Sequence, residues 1–195
     1  TIPEVASIGA TEEELKKKIT TKIVSENARE KAYMWINERN EPTFVVCPLI
    51  EISESTGLEN VKSAEYEFKK LKEGVFSNKT IGLLHGRMKS KDKEEVMKKF
   101  RNGEIQILVS TPVIEVGVDI PEATIMVIES AERYGLASLH QLRGRVGRGN
   151  KEGFCMLFMS NNSHSAYSRL KNLEVYNSGL DLAEIDMRIR GQGDI

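Results

Sequence analysis

A glycine-rich and arginine-rich segment holds three polar side chains at the spacing of one helical face. Gln141, Arg145 and Arg148 follow one another at intervals of four and three residues, so a helix running through them would present them together. Gly144 and Gly147 let another backbone or a phosphate approach closely. Two guanidinium groups aimed at one point suit a polyphosphate, whose oxygens accept forked, charge-assisted hydrogen bonds. On spacing alone, a surface helix end whose arginines pair with carboxylates stays an open alternative.

A second polar segment, Ser110–Pro121, leaves an apolar run and continues into a glycine-containing loop. Thr111 offers a hydroxyl and a backbone N–H to a phosphate oxygen. Asp119 could accept a hydrogen bond from a ribose hydroxyl or orient an arginine. The alternative is an ordinary turn after a strand, in which Asp119 caps the local backbone and Pro121 ends the segment.

A third candidate is His85-Gly86-Arg87, which directly follows another apolar run. Gly86 and Arg87 suit contact with a nucleic-acid backbone at the end of a strand. A single histidine is more often a hydrogen-bonded structural residue than a catalyst. We therefore assign His85 no acid–base role.

Several features of nucleotide-hydrolysing enzymes are missing from the sequence. No Gly-x-x-x-x-Gly-Lys-Ser/Thr phosphate loop is present, and the glycines of the stretch Gly82–Ser90 lack that spacing. No Asp-Glu pair follows an apolar run to hold magnesium, and no Cys/His spacing fits zinc. The chain therefore offers arginines to a nucleotide but cannot cradle its phosphates alone.

Charge limits the kind of partner that the chain can attract as a whole. Its 195 residues suffice for one α/β domain with a small appendage, and a net charge of −1 does not indicate a polyanion partner. Nucleic-acid contact must then come from a local cluster. One basic window has arginines alternating with glycines, unlike a lysine-rich solubilising face, and contains a single acid, Glu132. Its basic residues are Arg133, Arg143, Arg145, Arg148 and Lys151.

No segment predicts export or insertion into a membrane. The longest apolar runs, such as Thr124–Ile128, are far too short to cross a bilayer, and no basic-then-apolar leader opens the chain. Cys47 and Cys155 lie in apolar segments, where a lone thiol behaves as a small hydrophobe. Two such cysteines favour a reducing cytoplasm over a disulfide framework.

The alternation of apolar runs with charged helical stretches predicts a doubly wound, mainly parallel sheet with helices on both faces. The predicted strands are Thr43–Cys47, Thr80–Leu84, Ile105–Ser110, Thr124–Ile128 and Phe154–Met159, and the helices between them include Val61–Lys72 and Lys91–Arg101. Ligands of such sheets bind at the carboxyl ends of the strands. That rule points to the segments after Cys47, Leu84, Ser110 and Ile128.

The alternation of apolar runs and charged helical stretches is confined to the middle of the chain and does not extend to either end. Residues 1–40 predict a linker, a helix from the capping box Thr11/Glu14 through about Thr20, and a second helix over Asn27–Asn40. The α/β domain that contains the predicted sheet would then span residues 41–160. Beyond it, Ser163–Tyr176 and Asp181–Met187 predict a helical hairpin, followed by a stretch from Arg188 that is too glycine-rich for a helix.

Taken together, these segments resemble the motifs of superfamily 2 helicases in the family's order, from about Thr43 to Met159. Gln141–Arg148 resembles motif VI, Ser110–Pro121 motif V, and Val45–Ile50 and His85-Gly86 motifs IV and IVa. The fold expected from this resemblance is the second RecA-like lobe of a two-lobe motor.

Finer details resemble the RecG type of ATP-dependent DNA helicase. The segments concerned are Val46–Glu51, His85–Met88, Val113–Ile120 and Leu139–Gly149. The tail from His164 to Asp194 resembles the hairpin and loop that couple ATP turnover to translocation, although Met187, Arg188 and Gln192 depart from the family's usual Leu-Glu pair and Pro. Because the family sequence continues further, we expect this hairpin to be incomplete.

The resemblance implies a role for each candidate residue. ATP with Mg²⁺ would lie between two lobes, with the phosphates and the metal held mainly by the first lobe. The implied nucleotide-binding residues are Gly117, Asp119, Gln141, Arg145 and Arg148, with Arg145 and Arg148 catalytic and Arg148 the arginine finger; the DNA-binding residues are Thr111, His85, Gly86 and Arg87; the coupling residues are Arg188, Arg190 and Gln192.

The resemblance also implies the partners. They are branched or duplex DNA, as in stalled forks and Holliday junctions during repair and recombination, and the first lobe and wedge domain of the same polypeptide. We expect a monomer, and we expect the isolated chain to be inactive. Two alternatives remain open: the equivalent lobe of a transcription-repair coupling translocase, and a non-enzymatic nucleic-acid-binding domain.

Overall fold

Six short strands form one parallel sheet in the computed structural model, which describes residues 19–48, 56–112, 123–147, 151–175, 185 and 187–189. In chain order the strands are β1 (Ile19–Val24), β2 (Thr43–Val46), β3 (Ile81–Leu84), β4 (Ile107–Ser110), β5 (Ile125–Ile128) and β6 (Gly153–Phe158). In spatial order they are β1, β6, β5, β2, β4 and β3, and every described pairing is parallel.

The helices cover both faces of the sheet, because parallel strands are joined by right-handed crossovers. Their bounds are α1 (Arg29–Arg39), α2 (Thr56–Glu73), α3 (Ser90–Arg101), α4 (Leu136–Arg143), α5 (His164–Leu170) and α6 (Asn172–Val175). Helices α1 and α2 precede steps in one direction along the sheet and share one buried cluster. Helices α3 and α4 precede steps in the other direction and share a second cluster, which α5 and α6 extend.

This architecture confirms the predicted fold class, and the five predicted strands all form. Residues 43–46 and 125–128 are fully buried, as expected for strands covered on both faces. The helices predicted over residues 27–40, 61–72 and 91–101 also form, each within a few residues of its predicted bounds.

The amino-terminal prediction was wrong at its end, where strand β1 replaces the helix expected through about Thr20. Five of the six residues of β1 are β-branched, which favours a strand over a helix. The strand lies at the edge of the sheet and pairs along its whole length with β6, from Ile19 opposite Gly153 to Val24 opposite Phe158. The capping box lies outside the described residues, and the domain bounds at residues 40 and 160 stay a prediction.

The carboxyl-terminal prediction is corrected at one point. Helices α5 and α6 form the first arm of the predicted hairpin, with Lys171 between them. In the second arm, Ile185 and residues 187–189 are helical, so the helix includes Arg188, which was expected to begin an irregular stretch. The breaking glycines, Gly191 and Gly193, come only later in the sequence, whereas Met, Arg and Ile are compatible with a helix.

A partly buried ion cluster joins α1, α2 and the residue that follows β5. The Arg29 guanidinium lies 2.7 Å from one carboxylate oxygen of Glu129 and 3.0 Å from Glu67. The Tyr33 hydroxyl donates to the same Glu129 oxygen. Burial alone would lower the pKa of Arg29, but Glu129 and its other neighbours raise it above its ordinary value. Burial and then Glu129 raise the pKa of Tyr33, so this hydroxyl stays protonated.

Removing the cation of this cluster should destabilise the fold strongly. We expect Arg29→Met to lower the free energy of unfolding by about 3–5 kcal/mol, because a buried carboxylate then lacks its partner. Lys99→Met is the control, since Lys99 forms an exposed pair with Glu95 and should cost less than about 0.5 kcal/mol. Chemical denaturation measures both. Equal losses in the two variants would contradict the importance of the cluster.

Alkaline pH should destabilise the protein through its buried thiols. Burial raises the pKa of Cys155 from 9.0 to about 12. Between these values the unfolded chain loses a proton that the folded chain keeps, so stability falls with rising pH by about 1.4 kcal/mol per pH unit for this group. Cys155→Ala should reduce that slope by one proton between pH 9.5 and 11, in denaturation curves recorded across the range. An unchanged slope would show that the folded thiol titrates normally.

Candidate functional site

The candidate residues that follow strands come together at the carboxyl edge of the sheet. A run of backbone hydrogen bonds continues past the strand ends there. Cys47 N–H donates to the Ser110 carbonyl at 2.9 Å, and Thr111 N–H donates to the Leu84 carbonyl at 3.1 Å. The segments after β2, β4 and β3 therefore lie side by side, as the rule for parallel sheets predicts.

The His85–Met88 turn at this edge is organised by the histidine ring. His85 Nδ1 accepts the backbone N–H of Arg87 at 3.2 Å, so the neutral ring carries its proton on Nε2. Lys93 of α3 donates to the Gly86 carbonyl at 3.2 Å. Gly86 and Arg87 are left exposed and His85 is half-buried, and an exposed cation in this turn suits contact with a polyanion.

Thr111 is less available than the sequence indicates. It is only 4% exposed, and its backbone N–H is already donated to Leu84. Its carbonyl oxygen accepts from the Ser110 hydroxyl at 3.0 Å. The expectation that this N–H binds a phosphate oxygen was wrong, because it completes the sheet ladder; only the hydroxyl remains as a candidate donor.

Helix α4 leads from the carboxyl edge back to the amino edge of the sheet. Beyond the end of α4, the chain pairs with Ala123, which lies just before β5. Val146 forms a parallel bridge with Ala123, and Gly147 N–H donates to the Ala123 carbonyl at 2.7 Å. Gly153 at the start of β6 lies beneath, where an added Cβ would be 2.7 Å from a Val146 methyl. Gln141 and Arg145, both exposed, thus lie toward the opposite edge from Arg87.

The single helical face expected for the arginine motif does not form. Helix α4 ends at Arg143, so Gln141 lies within the helix and Arg145 lies beyond it. Gly147 has a φ of 113°, a backbone conformation that a helix excludes, and the buried Val146 is held in its bridge. The two side chains are close in sequence and exposed, but they are not presented by helical periodicity.

Arg143 is not part of the exposed basic window. It is buried, and its guanidinium donates to the Leu173 carbonyl of α6 and lies 2.7 Å from His140 Nδ1. Burial lowers the pKa of Arg143, and burial together with the Arg143 charge lowers the pKa of His140. Arg143 therefore ties the end of α4 to the carboxyl-terminal helices.

Five of the predicted site residues lie outside the described residues: Gly117, Asp119, Arg148, Arg190 and Gln192. In the sequence, Gly117 and Asp119 come between the described residues Pro112 and Ala123. Pro112 follows β4 at the carboxyl edge and Ala123 precedes β5 at the amino edge.

Two further polar residues were missed by the sequence reasoning. Tyr134, next to the start of α4, donates its hydroxyl to the Cys47 carbonyl at 3.0 Å. Arg169 of α5 donates to the Glu132 carbonyl at 3.1 Å and to the Tyr134 carbonyl. Both contact backbone carbonyls far away in the sequence, so no motif or spacing could have identified them.

Two other kinds of site are absent from the described residues, 19–48, 56–112, 123–147, 151–175, 185 and 187–189. Within those ranges, no three His, Cys, Asp or Glu side chains are grouped as metal ligands. None of the helices formed by those residues is both long and apolar enough to cross a membrane.

Comparison with known proteins gives a consistent result. Residues 16–150 match the family model described as helicase conserved C-terminal domain. The chain is 45% identical over 179 residues to the ATP-dependent DNA helicase RecG of Synechocystis, covering 90% of this chain and 21% of that protein. It is 42% identical over 182 residues to the RecG of Thermotoga maritima, covering 92% and 23%.

A solved structure of RecG bound to a three-way DNA junction is also similar, with a TM-score of 0.69, 39% identity, and coverage of 91% of this chain and 23% of that one. The chain thus spans about a fifth of the length of the curated relatives named here. These relatives do not favour the alternative of a transcription-repair coupling translocase. The chain belongs to the helicase conserved C-terminal domain family, and its lobe is of the RecG type.

Proposed function

We propose that this chain is the C-terminal motor lobe of an ATP-dependent DNA helicase that remodels branched DNA, such as stalled forks and Holliday junctions. One observation carries the proposal. Gln141 and Arg145, the described candidate nucleotide residues, lie toward the opposite edge of one sheet from the candidate DNA residues Gly86, Arg87 and Thr111. The names of the RecG relatives and the RecG–junction structure support the choice of substrate.

The nucleotide side would complete a site that the first lobe begins. Gln141 and Arg145 are exposed near the amino edge, and their amide and guanidinium groups are donors that suit phosphate oxygens. ATP, when bound, supplies the free energy of hydrolysis. In this proposal Arg148 stabilises the charge that develops on the transferred phosphoryl group, Gly117 and Asp119 lie beside the nucleotide, and the first lobe holds Mg²⁺.

The DNA side would hold the phosphate backbone without reading base sequence. Gly86 and Arg87 are exposed at the carboxyl edge, and the Thr111 hydroxyl lies on the neighbouring strand end. Contacts of this kind release counterions, so affinity should fall with salt and depend little on sequence.

The free, buried thiols of Cys47 and Cys155 support the cytoplasmic location expected from the sequence.

The carboxyl-terminal helices would convert lobe closure into movement along DNA. Arg143, at the end of α4, bonds to the Leu173 carbonyl of α6, and Ile185 packs against the same core cluster as α4. These contacts give the arginine motif a direct mechanical connection to the tail. We therefore assign Arg188, Arg190 and Gln192 to coupling.

Loss of the proposed arginine finger should separate catalysis from DNA binding. In the full-length protein we expect Arg148→Ala to reduce kcat of the DNA-stimulated ATPase by about 10³-fold or more, because the charge acts mainly in the transition state. Fork affinity should change little. Lys69→Ala, which removes an exposed cation of α2 outside every candidate site, is the control and should keep wild-type turnover. If Arg148→Ala retains wild-type turnover, the two-lobe site is wrong.

Loss of the proposed coupling arginine should have the opposite effect. Arg190→Ala in the full-length protein should leave ATPase within a few fold of wild type while fork unwinding collapses, because hydrolysis would no longer drive movement. Met187→Ala serves as a control in the same arm, since Met187 is 76% exposed. If Arg190 merely pairs with Asp186, both activities survive or fall together with melting temperature. Equal loss of ATPase and unwinding would sink the coupling role.

A further inference from the structure

The carboxyl edge of the sheet is held by hydrogen bonds that begin outside the sheet, at Tyr134. Its hydroxyl donates to the Cys47 carbonyl at 3.0 Å, and Cys47 N–H donates to the Ser110 carbonyl at 2.9 Å. The next residue, Thr111, donates its N–H to the Leu84 carbonyl at 3.1 Å. An unbroken set of contacts thus connects Tyr134 to the strand ends that carry the candidate DNA residues.

Tyr134 also lies where α4 begins. Gly135 is the N-cap of α4; the candidate nucleotide residue Gln141 lies near the far end of that helix, and Arg145 follows just beyond it. The Arg169 guanidinium of α5 donates hydrogen bonds to two backbone carbonyls just before α4, those of Glu132 and Tyr134. The Glu132 carboxylate in turn accepts from the Ser160 backbone N–H at 3.0 Å. The position of Tyr134 is therefore fixed from two directions.

The environment keeps this contact dry and protonated. Tyr134 is 5% exposed, Arg169 is 8% exposed and Cys47 is fully buried. Burial raises the pKa of Tyr134 above its ordinary range, so the hydroxyl stays protonated and remains a donor at neutral pH. A hydrogen bond sheltered from water in this way resists local opening more than an exposed one.

From this geometry we infer that Tyr134, held by Arg169, is a positioning residue that fixes the DNA-side strand ends relative to the nucleotide-side helix α4. The labels DNA side and nucleotide side rest on the proposed function. The effect on the strand does not depend on those labels: without the Tyr134 hydroxyl, we expect the end of β2 to open more often. The carboxyl-terminal helix α5 then acts as a support for the DNA edge as well as a link to the tail.

The buried thiol of Cys47 offers a direct readout of this opening. In the full-length protein, Tyr134→Phe should speed the labelling of Cys47 by N-ethylmaleimide by about threefold to tenfold, the factor that corresponds to the net contribution of one hydrogen bond. Peptide mapping by mass spectrometry identifies the labelled thiol. Labelling of Cys155, buried in β6, should be unchanged. Equal rates for Cys47 in the wild type and the variant would overturn the positioning role, whatever the protein does with DNA.

The functional half of the inference needs a second measurement. Tyr134→Phe should weaken fork-DNA binding by about the same threefold to tenfold factor, while ATPase without DNA stays at the wild-type level. Thr43→Val is the matched control, because it removes another buried hydroxyl that donates to a backbone carbonyl, that of Glu41, at the opposite end of β2, and should leave fork affinity unchanged. Faster Cys47 labelling without loss of fork affinity, or equal loss in both variants, would overturn the assignment to the DNA edge. A wild-type protein that binds no fork DNA would instead refute the proposed function and leave the labelling result standing.

Discussion

The parallel arrangement of the strands is the constraint on which the rest of this lobe depends. Each strand leaves the sheet at the same edge, so every connection must carry the chain back to the other edge before the next strand begins. Helix α4 does this between β5 and β6, and helix α3 does it between β3 and β4. A single small sheet thereby acquires two chemically distinct edges that are 4–6 residues of strand apart, and polar residues on the connections are distributed between them.

Because the strands are short, two sites at opposite edges of the sheet keep a fixed relative position only if the strand ends are held in place. Apolar packing secures the middle of each strand, where β2 and β5 are fully buried. The ends are secured by polar contacts instead: Arg29 and Tyr33 on the Glu129 carboxylate, and the side chain of Tyr134 on a strand-end carbonyl. Such contacts are directional, so they fix position where dispersion forces alone would permit sliding.

Sequence reasoning succeeded where local pattern determines structure and failed where distant partners do. The buried strands were predictable because uninterrupted apolar, β-branched runs have few other solutions, and the edge location of His85 and Thr111 followed from those strands. Strand β1 was missed because its one lysine and two threonines resemble the end of a helix until β6 is placed beside it. The burial of Arg143 was missed because its acceptor, the Leu173 carbonyl, lies 30 residues away and has no sequence pattern.

The edge position of β1 has a practical consequence for handling this lobe as a separate piece. Cutting the chain at the sequence-predicted boundary near residue 40 would remove both β1 and α1, and with them the backbone partners of β6 and the cation that neutralises Glu129. The flank of β6 that this cut would expose, Gly-Phe-Cys-Met-Leu-Phe, is an uncharged apolar strand whose backbone groups would lose their partners in β1. Such an edge favours edge-to-edge association between molecules. Shortened versions that begin upstream of Ile19 keep that flank covered, whereas shorter ones expose a template for aggregation.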